Sequence, residues 1–208
     1  MKQEKIDIFD TKYNKIGTAT REEAHKKGLW HHTFHCWIIN TKNKSILFQY
    51  ASKSQQDFKF FLTPSTAGHI QSGEDIKAGI FREIKEEIGE KIKENELISK
   101  KYIVREDTFK SYVDKEFVNV FFIKKEKLLT DYNLDKREVK GLFEIKIEDG
   151  IALFSGEKKI LKINGLGLNK NNYEKKELKI NLKNFVPQPK NYYLNIFKIA
   201  NELSKKND

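Results

Sequence analysis

Apolar and polar residues alternate along several segments in the first half of the chain, and this period of two is typical of half-buried β-strands. Segments 5–10 and 15–20 are predicted to pair as a hairpin around Asn14. Segments 32–40 and 45–52, rich in aromatic and β-branched residues, are predicted to form a second hairpin. The other elements predicted in this half are a helical turn at 21–28 and a strand at 62–70.

The period changes to that of an α-helix at 75–89. Isoleucines recur there every four residues, with Phe81 beside them, which predicts one apolar helix face. These are Ile80, Ile84 and Ile88. Ser72 is a candidate N-terminal cap, and Gly89 is the predicted stop, because glycine adopts the left-handed conformation that ends many helices.

The second half alternates again and ends in a helical pattern. It predicts strands at 96–106, 115–125 and 136–146, a short helix at 147–154, and a hairpin of 158–164 and 176–182 with a polar tip at 169–172. In the last segment, 191–206, five apolar residues share one helical face, which predicts a helix docked on its own core. They are Tyr193, Ile196, Phe197, Ala200 and Leu203.

Strands before, around and after one strong helix, followed by a terminal helix, predict an α+β fold of the mixed sandwich type. The length of 208 residues favours a single domain, 1–208, over two. Within it, residues 155–208 are predicted to be a C-terminal addition, a β-hairpin plus a helix, packed on the rest.

Charge and composition limit the kinds of partner that the chain could bind. The net charge is +10, but only four of the 40 basic residues are arginine, the side chain that reads bases and grips phosphates at two points. Nucleic acid is therefore disfavoured as a partner. The sequence has no run of ~20 apolar residues, which is the length needed to cross a membrane. We expect no export signal at the N-terminus, because it lacks an apolar segment. The single Cys36 excludes an internal disulfide. We expect a cytoplasmic protein with no membrane partner.

One face of the predicted helix is acidic. At ~100° per residue, four glutamates share an arc, and Gly79 in the same arc leaves room for a ligand. They are Glu83, Glu86, Glu87 and Glu90. Carboxylate clusters suit hard cations such as Mg²⁺. The alternative is a solvated face paired with Lys77, Lys85 and Lys91, and helix geometry alone does not decide between the two.

The segment 68–90 resembles the Nudix box: Gly, five residues, Glu, seven residues, Arg-Glu, an apolar residue, any residue, Glu-Glu, any residue, Gly, an apolar residue. Eight positions match across 22 residues, and only the last departs, with Glu90. The matching residues are Gly68, Glu74, Arg82, Glu83, Ile84, Glu86, Glu87 and Gly89. A match of this length is far more specific than a short glycine pattern.

The resemblance implies the Nudix fold, an α/β/α sandwich with a mixed β-sheet, the motif helix on one side and further helices that include the C-terminal one. It also implies a divalent-metal site for Mg²⁺ or Mn²⁺. Its implied ligands are the Gly68 carbonyl, Glu83, Glu86 and Glu87. For catalysis, the resemblance implies that Glu86 or Glu83 activates water, while Arg82, with Glu74, orients the loop and helix.

The histidines extend the resemblance. The segments AHKKGLWHHTFHCWIIN and TAGHIQSGE are similar to the branch that contains isopentenyl diphosphate isomerase and its hydrolase relatives. In that isomerase, histidines and two acids of a strand bind a divalent metal. The matching residues are His25, His31, His69, Asp114 and Glu116. They are candidates for an accessory metal or substrate site, with a structural remnant as the alternative, whereas His32 and His35 are assigned to aromatic packing.

Departures from the isomerase favour hydrolysis. The isomerase needs a cysteine just before the Gly-His pair, where this chain has Ala67, and it has a degraded box where this one is intact. Hydrolase relatives usually carry an arginine where this chain has Ala51. Lys53 or Lys59 is a candidate replacement for that phosphate-binding group.

The sequence therefore predicts a metal-dependent hydrolase that cleaves a diphosphate linkage in a small molecule, such as a nucleoside diphosphate derivative, by water attack on phosphorus. The alternatives are an isopentenyl diphosphate isomerase-like enzyme and a non-catalytic module that binds a nucleotide or RNA end. Substrate choice is assigned to loops 52–60 and 106–114. The sequence leaves the substrate and the oligomeric state open, a homodimer included.

Overall fold

The computed structural model describes residues 4–50, 61–108 and 113–205. Its strands are β1 Lys5–Phe9, β2 Lys15–Thr20, β3 Trp30–Asn40, β4 Ser45–Tyr50, β5 Leu62–Thr63, β6 Thr66–His69, β7 Ile98–Ser99, β8 Ile103–Thr108, β9 Val113–Lys125, β10 Gly141–Lys146, β11 Leu161–Asn169 and β12 Asn172–Ile180. Its α-helices are α1 Arg21–Lys27, α2 Ile76–Ile88, α3 Ile147–Phe154 and α4 Tyr192–Lys205.

The strands form one mixed sheet with β3 near its middle. The main order is β12-β11-β10-β4-β3-β1-β2, and β5, β6, β7, β8 and β9 pair outside this path. β3 runs parallel to β9 from Trp30–Lys115 to Asn40–Lys125, and it runs antiparallel to β1, β4 and β6. The predicted mixed sheet is confirmed.

Helices cover both faces of this sheet. On one face, Ile80, Ile84 and Ile88 of α2 join a buried cluster with Phe34 and Ile38 of β3. On the other face, α3 and α4 pack over a second cluster that contains Trp37, Phe48 and Phe143. Burying an isoleucine or phenylalanine side chain stabilises a fold by about 1.5–3 kcal/mol, so these two clusters fix α2 and α4 against opposite faces. The predicted sandwich, with the motif helix on one side, is confirmed.

Several boundaries differ from the prediction, and β10 begins only at Gly141 although a strand is predicted from 136. Residues 62–70 form two short strands, because Pro64 has no N–H to donate to a ladder and interrupts them. The N-cap of α2 is Asp75, not Ser72, and its carboxylate accepts hydrogen bonds from two backbone N–H groups. Residues 96–106 likewise divide into β7 and β8. Gly89 ends α2 with a φ of 70°, as predicted.

The C-terminal elements lie where the pattern predicts them. β11 pairs with β12 from Leu161 to Asn169 and, on its other side, with β10, so the hairpin extends the sheet. All five apolar residues predicted on one face of α4 are buried. The division into a domain and an addition at 155–208 stays a prediction. Among the helices described, none has the length and apolar character needed to span a membrane.

Candidate active site

A cleft of about 1260 Å³ opens beside the start of β3 and the acidic face of α2. Its walls carry residues of both clusters that the sequence predicts, the acidic motif and the histidine set. From the motif come Gly68, Arg82, Glu83, Glu86 and Glu87, and from the histidine set come His25, His69, Asp114 and Glu116. His31 lies behind this wall with no exposed surface. The fold therefore brings the two predicted clusters to one cavity.

Gly68 is where the loop before α2 comes closest to the glutamates. A Cβ built on Gly68 would lie 3.0 Å from Cδ of Glu83. A side chain at this position would press on the carboxylate, so glycine lets the backbone approach it without displacement. Glu86 is the outermost of the three predicted ligands, with 58% of its side chain exposed.

Arg82 ties the loop to the helix. Its Nε and Nη2 donate to the two carboxylate oxygens of Glu74, each at 3.0 Å, and its Nη1 donates to Oε1 of Glu83 at 2.6 Å. Nη1 also lies 3.5 Å from Oε2 of Glu86. Glu74 in turn accepts from the backbone N–H of Gln71 at 3.1 Å. One guanidinium therefore holds Glu74 at two points and Glu83 at one.

Glu87 is held from the β-sheet side. Its Oε2 accepts hydrogen bonds from Nε2 of Gln49 at 2.9 Å and from Oγ1 of Thr66 at 2.5 Å. Burial raises the pKa of Glu87 to about 8 and also raises the pKa of Glu83, against the lowering effect of Arg82. Burial is the main cause of both shifts, and a bound cation would favour the ionised form of these carboxylates.

Two details of the predicted acidic arc are wrong. The space beside Gly79 is filled, because a Cβ there would lie 3.0 Å from both Oε2 of Glu74 and Cδ1 of Ile70. Glu90 does not line the cleft and instead forms an ion pair with Lys127. Of the lysines considered as neutralising partners, Lys77 pairs with Glu94 outside the arc.

The histidine cluster is assembled from four elements. His25 lies on α1, His31 on β3, His69 on β6, and Asp114 with Glu116 on β9. Nε2 of His25 lies 3.2 Å from Nε2 of His69, and Oδ1 of Asp114 lies 3.8 Å from Nε2 of His25 and 3.7 Å from Nε2 of His31. One nitrogen from each histidine falls within 4.8 Å of the others, and His31, Asp114 and Glu116 form a second such group.

The protonation of these rings suits ligation. Nδ1 of His31 donates to the Leu29 carbonyl at 2.9 Å, which points Nε2 at the cluster. That nitrogen and Oδ1 of Asp114 are buried without a hydrogen-bond partner in the described chain. Burial lowers the pKa of His25 to about 4 and that of His69 well below its usual range. Neutral histidines beside unpartnered buried atoms are what a metal-binding site requires before a cation enters.

Arg105 is a member of this cluster that the sequence did not reveal. Its guanidinium donates to Oε2 of Glu116 at 2.8 Å and to Oδ2 of Asp107 at 2.5 Å, and lies 3.8 Å from Asp114. The register of β8 on β9 places Arg105 opposite Glu116. An arginine on the strand that precedes Asp114 and Glu116 in the chain was the available signal.

The remaining histidines pack as predicted. His32 stacks on Phe9 with 3.9 Å between ring centroids, and His35 is 5% exposed and bonded to Tyr192. Cys36 is fully buried on β3. Ala51, Lys53, Lys59 and loop 52–60 lie outside the described residues, as do residues 109–112 of loop 106–114.

The fold and the acidic helix define a class of enzyme, and comparison with known proteins names it. The NUDIX domain model matches residues 29–161, and the chain belongs to that family. It is 35% identical over 196 residues to an uncharacterized Nudix hydrolase of Clostridium acetobutylicum, across 93% of this chain and 95% of that one. The predicted enzyme class, a pyrophosphohydrolase, is confirmed.

The comparisons also find relatives in the isopentenyl diphosphate isomerase branch of the family, which the histidines predicted. The chain is 26% identical over 147 residues to isopentenyl-diphosphate Delta-isomerase 1 of Photorhabdus laumondii, across 70% of this chain and 81% of that one. Among solved structures, DR0079 of Deinococcus radiodurans is similar with a TM-score of 0.54 and 17% identity, over 74% of this chain and 91% of that one. This last likeness concerns the fold alone.

Proposed function

We propose that this chain is a Mg²⁺- or Mn²⁺-dependent hydrolase that cleaves a diphosphate linkage in a small molecule by attack of water on phosphorus. The observation that carries the proposal is the set of Glu83, Glu86 and Glu87 on one helix face, beside the close backbone of Gly68, at the wall of a single large cleft.

The residues present fit such a cation. All candidate ligands are oxygens, which hard divalent ions prefer. Burial raises the pKa values of Glu83 and Glu87, and a cation beside them would stabilise their ionised forms. Gly68 carries no side chain between its backbone and Glu83. A bound ion would neutralise charge on the phosphoryl oxygens and lower the pKa of water.

The protein's own groups would supply the rest of the reaction. Glu86, the most exposed of the three, is placed to take a proton from water, and Glu83 is the second candidate base. Arg82 is a positioning residue, because it holds Glu83 and Glu86 through side-chain contacts and anchors them to Glu74.

We also assign an accessory cation site to His25, His31 and His69, with Asp114 and Glu116. Its nitrogen and oxygen donors suit borderline ions such as Co²⁺ or Zn²⁺. The unpartnered buried atoms of His31 and Asp114 support this assignment. They favour a bound ion over a structural remnant, since buried polar atoms without partners destabilise a fold.

Hydrolysis is favoured over double-bond isomerisation. Ala67 lies in the cleft wall where the isomerase resemblance requires a cysteine. The one cysteine of the chain, Cys36, packs in the core cluster under α2, and burial raises the pKa of its thiol. No thiol of this chain can therefore act as an acid or base at the cleft.

The test is a metal-dependent screen of nucleoside di- and triphosphates, nucleotide sugars, dinucleotides and prenyl diphosphates, run in ¹⁸O-water. Glu86→Gln and Glu87→Gln are expected to lose turnover by about 10²- to 10³-fold while staying folded. Glu90→Gln is the matched control, since Glu90 is in the same arc but pairs with Lys127. Unchanged rates in both Glu86→Gln and Glu87→Gln would refute the proposal. Formation of dimethylallyl diphosphate from isopentenyl diphosphate would also refute it.

A further inference from the structure

Three further polar side chains line the cleft next to the histidine site, where the register of β3 on β6 places Thr33 opposite His69. Thr33 and His35 lie two residues apart on β3, and Gln188 comes from the segment between β12 and α4. Thr33 is 3% exposed. Its Oγ1 and the Gln188 Oε1 are buried without a hydrogen-bond partner in the described chain. Groups of this kind normally have a partner in the working protein.

His35 has its ring orientation set from the C-terminal helix. Its Nδ1 lies 2.7 Å from the hydroxyl oxygen of Tyr192, and that oxygen accepts a hydrogen bond from Nε1 of Trp37 at 3.1 Å. Tyrosine has one O–H, and in the described chain the hydroxyl has no other acceptor than His35. The hydroxyl therefore donates to Nδ1, and the neutral ring carries its proton on Nε2. Burial, which lowers the pKa of His35 to about 3, keeps the ring neutral.

The three side chains thus offer a complementary set. The Nε2–H group of His35 donates, the Gln188 Oε1 accepts, and the Thr33 hydroxyl does either. The three side chains themselves carry no charge, and the nearby Arg105 guanidinium is held by Asp107 and Glu116, so the set suits an uncharged group better than a phosphate. An apolar chain is equally disfavoured, because covering these atoms with hydrocarbon would leave them without partners.

We propose that Thr33, His35 and Gln188 form a subsite for an uncharged, hydrogen-bonding part of the substrate, a group that carries hydroxyl or amide-type donors and acceptors. Tyr192 is its positioning residue, because its hydroxyl fixes the proton of His35 on Nε2. This inference rests on the proposed hydrolase function, which puts the diphosphate at the glutamates of the same cleft. It gives the C-terminal segment a part in substrate choice.

The first test is equilibrium binding, with Ca²⁺ in place of Mg²⁺ so that the probes are not consumed. The probes are ADP-ribose, dimethylallyl diphosphate and inorganic pyrophosphate. We expect ADP-ribose to bind more tightly than the other two. Thr33→Val and Gln188→Leu should each weaken ADP-ribose binding about fivefold and leave pyrophosphate binding unchanged.

Ser45→Ala is the matched control for Thr33→Val. The Ser45 hydroxyl is also buried and unpartnered in the described chain, but it is not part of the cleft wall. Its loss should change binding of no probe. Equal effects of the Thr33 and Ser45 variants, or tightest binding of dimethylallyl diphosphate, would overturn the subsite. Failure of pyrophosphate itself to bind would instead overturn the hydrolase proposal, and this inference with it.

The second test reads the tautomer directly. Long-range ¹H–¹⁵N spectra of histidine-labelled protein, with His35→Gln as the assignment reference, should show His35 protonated on Nε2. Tyr192→Phe keeps the ring in the core but removes the hydroxyl, so the Nδ1–H form should appear. It should also raise KM for a turned-over polar substrate more than it lowers kcat. A His35 ring protonated on Nδ1 in the unmodified protein contradicts the assigned role of Tyr192.

Discussion

The two candidate cation sites of the cleft are built in opposite ways. The glutamate site takes three carboxylates from one helix, and a single residue, Arg82, orients two of them. The histidine site takes its ligands from α1, β3, β6 and β9, and it mixes nitrogen with oxygen donors. A helix holds neighbouring side chains at fixed spacing, whereas the second site exists only when the whole sheet is in register.

This difference in construction implies a difference in chemistry. Oxygen donors that reach solvent, as Glu86 does, suit a hard ion that shares its coordination shell with water and phosphate. Buried imidazoles such as His31 suit an ion that is retained and shielded. We therefore expect the glutamate site to perform the chemistry and the histidine site to hold an ion more tightly.

The largest expected effect separates these roles. Glu83→Gln should reduce kcat by about 10²- to 10³-fold, whereas His31→Gln should reduce it by no more than about tenfold. Binding of Co²⁺, followed by its visible absorption, should be affected more by His31→Gln than by Glu83→Gln. We expect His31→Gln to lose the spectrum of nitrogen-ligated Co²⁺ and Glu83→Gln to keep it. Equal losses in both assays would mean that the two clusters act as one site.

The next effect concerns the arginine of the glutamate site. Arg82→Lys should lower kcat by about 10- to 100-fold, because an ammonium cannot bond both oxygens of Glu74 and still reach Glu83. Steady-state rates at saturating metal measure this. Arg137→Lys is the control, since Arg137 contacts Asp135 outside the cleft and its side chain is 86% exposed. Full activity of Arg82→Lys would show that orientation by Arg82 is dispensable.

The same difference explains what could be predicted from the sequence. The helix, its apolar face and its glutamates could be predicted from spacing within one element. The resemblance to the Nudix box added Gly68 to the predicted site. Asp75 displaced Ser72 as the cap because its carboxylate accepts from two N–H groups at once. Arg105, by contrast, reaches the histidine site only through the pairing of β8 with β9. No local pattern specifies a strand register, and Gln49 and Thr66 reach Glu87 in the same non-local way.

A smaller effect is expected where the loop meets the helix. Gly68→Ala places a methyl group 3.0 Å from Cδ of Glu83, so this carboxylate must shift by a few tenths of an ångström. We expect kcat to fall by up to about tenfold, since small misplacements of catalytic groups are costly. Gly17→Ala is the control, because its nearest contact is 3.8 Å away, on Ile8. A kcat unchanged by Gly68→Ala would indicate that Glu83 tolerates this displacement.

The last effect is on stability, and it has a defined direction with pH. A carboxyl whose pKa rises to about 8 on folding destabilises the folded state as pH increases from about 4.5 to 8, because its buried form prefers the proton. In metal-free protein, Glu87→Gln removes this pH-dependent destabilisation and keeps an oxygen that accepts from Gln49 and Thr66. Its Tm should therefore exceed that of the unmodified protein at pH 8, by about 2–4 °C for each kcal/mol regained, and the gain should shrink at pH 5.

The control is Glu86→Gln. Because the Glu86 side chain is largely exposed, this change should leave Tm unchanged at both pH values. A gain for Glu87→Gln that is equal at pH 5 and pH 8 would show that Glu87 is ionised in the metal-free fold and that its charge is already compensated.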